Sequence, residues 1–138
     1  MAKLKLATWN INSVRLRIGR VCEFIAAHKP DILCLQEIKC EAGDFPLAEL
    51  QSAGLKYIEI AGQKGYHGVA IASRLPLERL AVADFNGTGE ARHLSVRIAR
   101  AKGTAPVIHN FYVPSGGDIP DSASNPKFAQ KLAYLNSM

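Results

Sequence analysis

Apolar and polar positions alternate along this chain in two periods, one near two residues and one near 3.6. Leu4 to Ile11 reads as a strand. Val14, Ile18, Val21 and Ile25 then recur at helical spacing, with Ser13 or Asn12 as the capping residue and Pro30 as the stop. Pro30 to Gln36 is an apolar run with the character of a strand. Asp44 is placed to cap a short helix with Pro46 near its start and Gly54 just beyond its end. Lys56 to Ala61 and Gly68 to Ser73 read as a strand pair, and Leu80 to Ala83 as a weaker strand. In His93 to Arg100, Leu94, Val96 and Ile98 alternate with polar residues, which predicts a half-exposed strand. Val107 to Val113 is a further strand. Asn125-Pro126 opens a last helix whose apolar face carries Phe128, Ala129, Leu132 and Leu135.

The stretch Pro30-Asp31-Ile32-Leu33-Cys34-Leu35-Gln36-Glu37-Ile38-Lys39 is the most telling. A strand this apolar is buried on both faces, and such strands carry chemistry where they emerge at the carboxyl end. Leu33, Leu35 and Glu37 share one parity, so the carboxylate is expected to cap a greasy stripe. A charge in that position needs a cation. Glu37 therefore reads as a metal ligand or as the partner of a fixed positive group.

Two more strands end in unexpected polar groups. The first closes on Trp9-Asn10-Ile11-Asn12, and another carries Asn110 and Tyr112 on one side. An amide oxygen and a carboxylate, completed by water, suit magnesium. An amide and a phenol can donate to a phosphate or to developing oxyanion charge. Each residue alone has an ordinary structural explanation; three polar strand ends together favour a site expected at one edge of a sheet.

Composition narrows the class. The 138 residues suit one domain and are 48% hydrophobic, as a soluble globular protein would be. No run approaches the 18 apolar residues of a membrane span, and the N-terminus lacks a leader-like core, so a cytoplasmic address is expected. Cys22, Cys34 and Cys40 form no paired motif and read as buried free thiols. The whole net charge of +5 lies in residues 1–30, where Lys3, Lys5, Arg15, Arg17, Arg20 and Lys29 face Glu23 alone. That excess suggests a polyanionic partner.

Ala7 to Arg15, Pro30 to Lys39, Tyr66-His67-Gly68-Val69-Ala70, Glu90-Ala91-Arg92 and Asn110-x-Tyr112-x-Pro114-x-Gly116 follow one another in a recognisable order. In these five motifs the chain resembles the exonuclease III family of apurinic/apyrimidinic endonucleases, within the endonuclease/exonuclease/phosphatase superfamily. The resemblance implies an α/β fold: the first half of a four-layer, DNase I-like sandwich, with residues 1–138 as the N-terminal portion of one truncated domain. It implies magnesium, with manganese as the substitute, held by Asn10 and Glu37, and Tyr112 as the active-site tyrosine. Lys39, Arg92 and Asn110 are assigned by it to the DNA-facing surface. The implied activity is hydrolysis of DNA phosphodiesters at abasic sites and 3′ ends, by a full-length protein expected to be monomeric. Ser115 and Ala91 depart from the residues common in relatives. The family's later Asp-x-Asn and Ser-Asp-His motifs are expected beyond residue 138, so the chain alone is expected to be inactive and poorly stable. Alternatives are a phosphomonoesterase or phospholipid-cleaving member of the same fold, or a non-catalytic nucleic-acid-binding fragment. The basic N-terminal segment and the Tyr-x-Pro-x-Gly match favour DNA.

Overall fold

The computed structural model describes residues 3–100 and 102–138. Met1 and Ala2, which begin the stretch read for a leader, lie outside them. Two sheets stack face to face. The first has strand order β1-β2-β4-β3 and is built from β1 (Leu6–Asn10), β2 (Ile32–Gln36), β3 (Tyr57–Ala61) and β4 (Val69–Ser73). β1 and β2 run parallel, joined through helix α1 (Val14–His28); β4 is antiparallel to both β2 and β3. The second sheet is an antiparallel meander of β5 (Leu77–Ala81), β6 (His93–Ile98) and β7 (Val107–Phe111). Helix α2 (Leu47–Ser52) joins α1 on the first sheet, and α3 (Pro126–Ser137) leans on the far side of the second through Tyr134.

The double-sided burial expected of β2 is present: all five of its residues are buried. Leu33 and Leu35 point into the core shared with Val14, Val21, Ile25 and Leu50. Ile32 and Cys34 point into the core between the sheets, with Ile71, Leu94, Val96 and Ile98. Burial pushes the Cys34 thiol up to about 12, the behaviour of a core residue and not of a reactive one. Among the described residues no helix is long and apolar enough to cross a membrane.

Several expectations need correction. β6 is buried at every position except Arg97, because its outer side is covered too. There His93 stacks against His109 and Phe111, and Ser95 Oγ donates to the Ala81 carbonyl. β5 begins at Leu77, three residues before the expected start. Asp44 sits in a 3-10 turn, and Pro46 occupies the cap position of α2. Along α3 the buried residue is Tyr134, while Leu132 and Leu135 stay exposed. The Tyr134 hydroxyl reaches the Arg92 carbonyl at 3.1 Å, an anchor the apolar pattern cannot reveal.

Neither Ser13 nor Asn12 caps α1 with its side chain. The free N–H groups at the helix start are instead taken by backbone carbonyls of the chain leaving β2. Ser13 N donates to Glu37 O at 2.8 Å and Val14 N to Ile38 O at 3.2 Å. This zipper sets the position of the site.

Candidate active site

Beyond Gln36 the strand conformation stops. Glu37 and Lys39 both adopt left-handed backbone, at φ 53° and 54°. The turn is clamped on one side by the α1 zipper. On the other, Ile38 N donates to Gly68 O at 3.2 Å and Lys39 N to His67 O at 2.9 Å. Left-handed backbone costs a side-chain-bearing residue about 1–2 kcal/mol. Of the six non-glycine residues with positive φ among those described, Asn12, Ser13, Glu37, Lys39 and His67 all belong to this junction. Strained backbone clusters at active sites and ligand clamps, which makes this junction the candidate site.

The turn also overturns the parity argument. Glu37 does not extend the Leu33–Leu35 stripe; Ile38 fills that core instead, fully buried. The Glu37 carboxylate swings to the junction of the two sheets. There its Oε1 accepts from Tyr112 OH at 2.5 Å and from Asn10 Nδ2 at 3.0 Å. Its Oε2 lies 3.7 Å from Lys39 Nζ. The three strand-end residues thus converge, but across two sheets and not along one sheet's edge.

Charge follows from these contacts. Burial alone would raise the Glu37 pKa, yet the hydrogen bonds from Tyr112 and Asn10 and the Lys39 ammonium hold it below the ordinary carboxylate value. Burial, then the bond to Glu37 and its charge, push the Tyr112 phenol up to about 12 against the opposing pull of Arg92. At neutral pH the pair is a carboxylate and a phenol donor.

Asn12, read from sequence only as a helix cap, belongs to the site. Its Oδ1 accepts from Lys39 Nζ at 2.6 Å, so the ammonium lies between an amide oxygen and a carboxylate oxygen. Such a pair suits a hard cation. Asn10 offers a second amide: its Oδ1 accepts from Asn12 N at 3.2 Å and its nitrogen faces Glu37. With the amide turned over, its oxygen would stand opposite the carboxylate, the pairing a bound cation takes. Among the described residues no three His, Cys, Asp or Glu side chains stand together as a metal cage.

Two of the assigned DNA-facing residues point inward. Asn110 is 2% exposed and both of its amide donors are used. Oδ1 accepts from Gln36 Nε2 at 2.8 Å, while Nδ2 donates to Leu35 O at 3.0 Å and Ala70 O at 2.9 Å. No group of that amide is left for a phosphate. Arg92 is 7% exposed, with Nε on Glu90 Oε2 at 2.5 Å and its guanidinium carbon 4.6 Å from the Tyr112 ring centre. Lys39 alone of the three keeps a partly exposed side chain. Gln36, His67 and Glu90 stand in the motifs quoted from the sequence but received no site role there. His67 Nδ1 lies 3.2 Å from Gln63 Oε1 and its Nε2 lies 3.9 Å from Glu90 Oε1. Burial and the nearby Arg92 lower its pKa despite that carboxylate.

Residues 7–136 match the pattern that defines the endonuclease/exonuclease/phosphatase family. The chain belongs to that family. It is 30% identical over 115 residues to an exodeoxyribonuclease III of Haemophilus influenzae, covering 82% of this chain and 42% of that protein. It is 24% identical over 117 residues to a DNA-(apurinic or apyrimidinic site) endonuclease of Dictyostelium discoideum, covering 83% and 31%. Among solved structures, an AP endonuclease from Archaeoglobus fulgidus superposes with a TM-score of 0.81 at 37% identity, covering 98% of this chain and 49% of that one. A 3′ phosphatase from Neisseria bound to a product DNA hairpin gives 0.80 at 30% identity, with the same coverage. The fold is therefore the α/β, DNase I-like one. The chain spans about half the length of these solved relatives and less than half of the curated ones.

Proposed function

We propose that this chain contributes the metal- and phosphate-facing half of a DNA-repair nuclease that hydrolyses phosphodiesters at abasic sites and 3′ ends. The supporting observation is the convergence of Tyr112 OH and Asn10 Nδ2 on one Glu37 oxygen, with Lys39 and Asn12 on the other side. Glu37 and Asn10, with its amide turned over, are the residues whose oxygens suit magnesium or manganese, and Asn12 adds an amide oxygen beside them. When bound, such an ion would stabilise negative charge developing on a phosphate oxygen. Lys39 supplies positive charge beside the same oxygens before any ion arrives. The phenol of Tyr112, un-ionised at neutral pH, is a donor for a non-bridging phosphate oxygen in exchange for its bond to Glu37. Among the described residues neither a second carboxylate nor an imidazole is hydrogen-bonded to Glu37 or Tyr112. Activation of water is therefore assigned to a group outside this set.

The Neisseria relative's description as a 3′ phosphatase favours one second reading, removal of a phosphomonoester from a DNA 3′ end by the same residues. The test is binding of manganese and of a duplex carrying an abasic-site analogue, by wild type and Glu37→Gln. The expected result is at least tenfold weaker manganese binding by the variant, and preference of the wild type for the abasic duplex over inositol phosphates. Equal manganese binding by both proteins would overturn the assignment of Glu37. Indifference to the abasic duplex would overturn the substrate.

A further inference from the structure

Residue 92 touches Tyr112 at three places. The guanidinium carbon sits 4.6 Å from the centre of the Tyr112 ring, within the range of a cation–π contact. Arg92 Nη1 donates to the Tyr112 carbonyl at 3.2 Å, and Tyr112 N donates to the Arg92 carbonyl at 2.7 Å. The guanidinium is itself held from behind. Its Nε donates to Glu90 Oε2, which also accepts from Gln130 Nε2 of α3 at 3.1 Å. Tyr134 of the same helix donates to the Arg92 carbonyl. An arginine meant for backbone phosphates presents its donor fork outward; this one is buried against a tyrosine and a carboxylate.

We propose that Arg92 is a positioning residue. It presses on one face of the Tyr112 ring so that the hydroxyl meets Glu37 Oε1, and Glu90, Gln130 and Tyr134 make α3 the brace behind it. A tyrosine side chain turns about two bonds. The Tyr112 ring packs against the core between the sheets and lies 6.0 Å from the His67 ring. The cation stacked on it, bonded to the same residue's carbonyl, adds the constraint that aims the hydroxyl. The role rests on the reading of Tyr112 as an active-site group, but the placement of the ring is measurable without any activity.

The test uses the full chain labelled with 3-fluorotyrosine. Its four tyrosines give separate fluorine resonances, and the Tyr112 signal is identified by its loss in Tyr112→Phe. In Arg92→Gln that signal is expected to shift and broaden while those of Tyr57 and Tyr66 stay in place; Arg92→Lys, which keeps a cation, is expected to restore part of the shift. The salt dependence of duplex binding is expected to keep its slope in Arg92→Gln. An unmoved Tyr112 resonance overturns the proposal. If the binding slope also falls by about one counterion, Arg92 is a phosphate contact instead. Should Arg92→Gln fail to fold, Glu90→Gln, which removes the brace and leaves the cation, must move the same resonance, and its failure to do so also overturns the proposal. Wild type that binds no DNA would sink the nuclease reading and leave the fluorine result standing.

Discussion

Replacing Asn110 by alanine removes an amide that ties the second sheet to two strands of the first. Three buried hydrogen bonds disappear: one from Gln36 Nε2, and one each to the carbonyls of Leu35 and Ala70. Gln36 keeps one of its two N–H partners in Thr8 Oγ1 at 2.9 Å, while the other N–H loses its acceptor. Each lost bond is worth about 0.5–1.5 kcal/mol net, and a deserted buried carbonyl adds to that. The expected loss is about 2–4 kcal/mol. With a urea dependence of about 2 kcal/mol per molar, the unfolding midpoint falls by roughly 1–2 M. Trp9, the one tryptophan, reports the transition by fluorescence from its contact with Phe24 at 5.4 Å. A midpoint shift worth less than about 0.5 kcal/mol would refute the buried role. A DNA contact at this position predicts the reverse signature: an unchanged midpoint and a binding slope shallower by about one.

Tyr112→Phe keeps the ring under Arg92 and loses only the donor to Glu37. Thermal unfolding should show a loss of about 1 kcal/mol, while metal-dependent cleavage by an active protein containing this chain falls at least tenfold in kcat. Burial and the neighbouring His109 hold His93 below its ordinary value of 6.5, and His67 is lowered as well. Unfolding takes up protons at those rings, so stability should be level above pH 6.5 and decline as pH drops below it. Glu37 and Glu90, both held below 4.5, should add a second decline as pH falls through their folded values; urea midpoints across pH 3–8 check both limbs. Gly68 has φ 84°, and a Cβ there would lie 2.6 Å from Ile38 Cγ1. Gly68→Ala should therefore destabilise by about 2–3 kcal/mol, against about 1 kcal/mol for Gly65→Ala, where the same backbone region meets open space.

Most of the strands were legible because periodicity and burial coincide in them: β2 reads as a double-sided strand and is one. The site was half legible. Polar residues at the ends of β1, β2 and β7 drew attention to Asn10, Glu37 and Tyr112, which do meet. Their arrangement was not legible, because parity assumes that a strand continues and Glu37 leaves it through left-handed backbone. Asn110 and Arg92 show the second gap. A polar residue in an apolar pattern announces that it needs partners, not whether they are solvent, a phosphate or a carbonyl more than 70 residues away in the chain, as with Asn110 and Leu35. Asn12 shows the third: an amide before a helix looks like a cap even when backbone carbonyls already cap that helix.

The cluster of left-handed residues around Glu37 bears on how this sequence would respond to selection. Five side-chain-bearing residues in disfavoured backbone are a reservoir of easy gains, since relaxing any of them stabilises the chain. A library screened only for resistance to heat or protease would therefore accumulate changes at the Glu37 turn first, and lose the junction of the two sheets while the fold improved. The costly backbone at Asn12, Ser13, Glu37, Lys39 and His67 therefore ties the geometry of the junction to a local loss of stability.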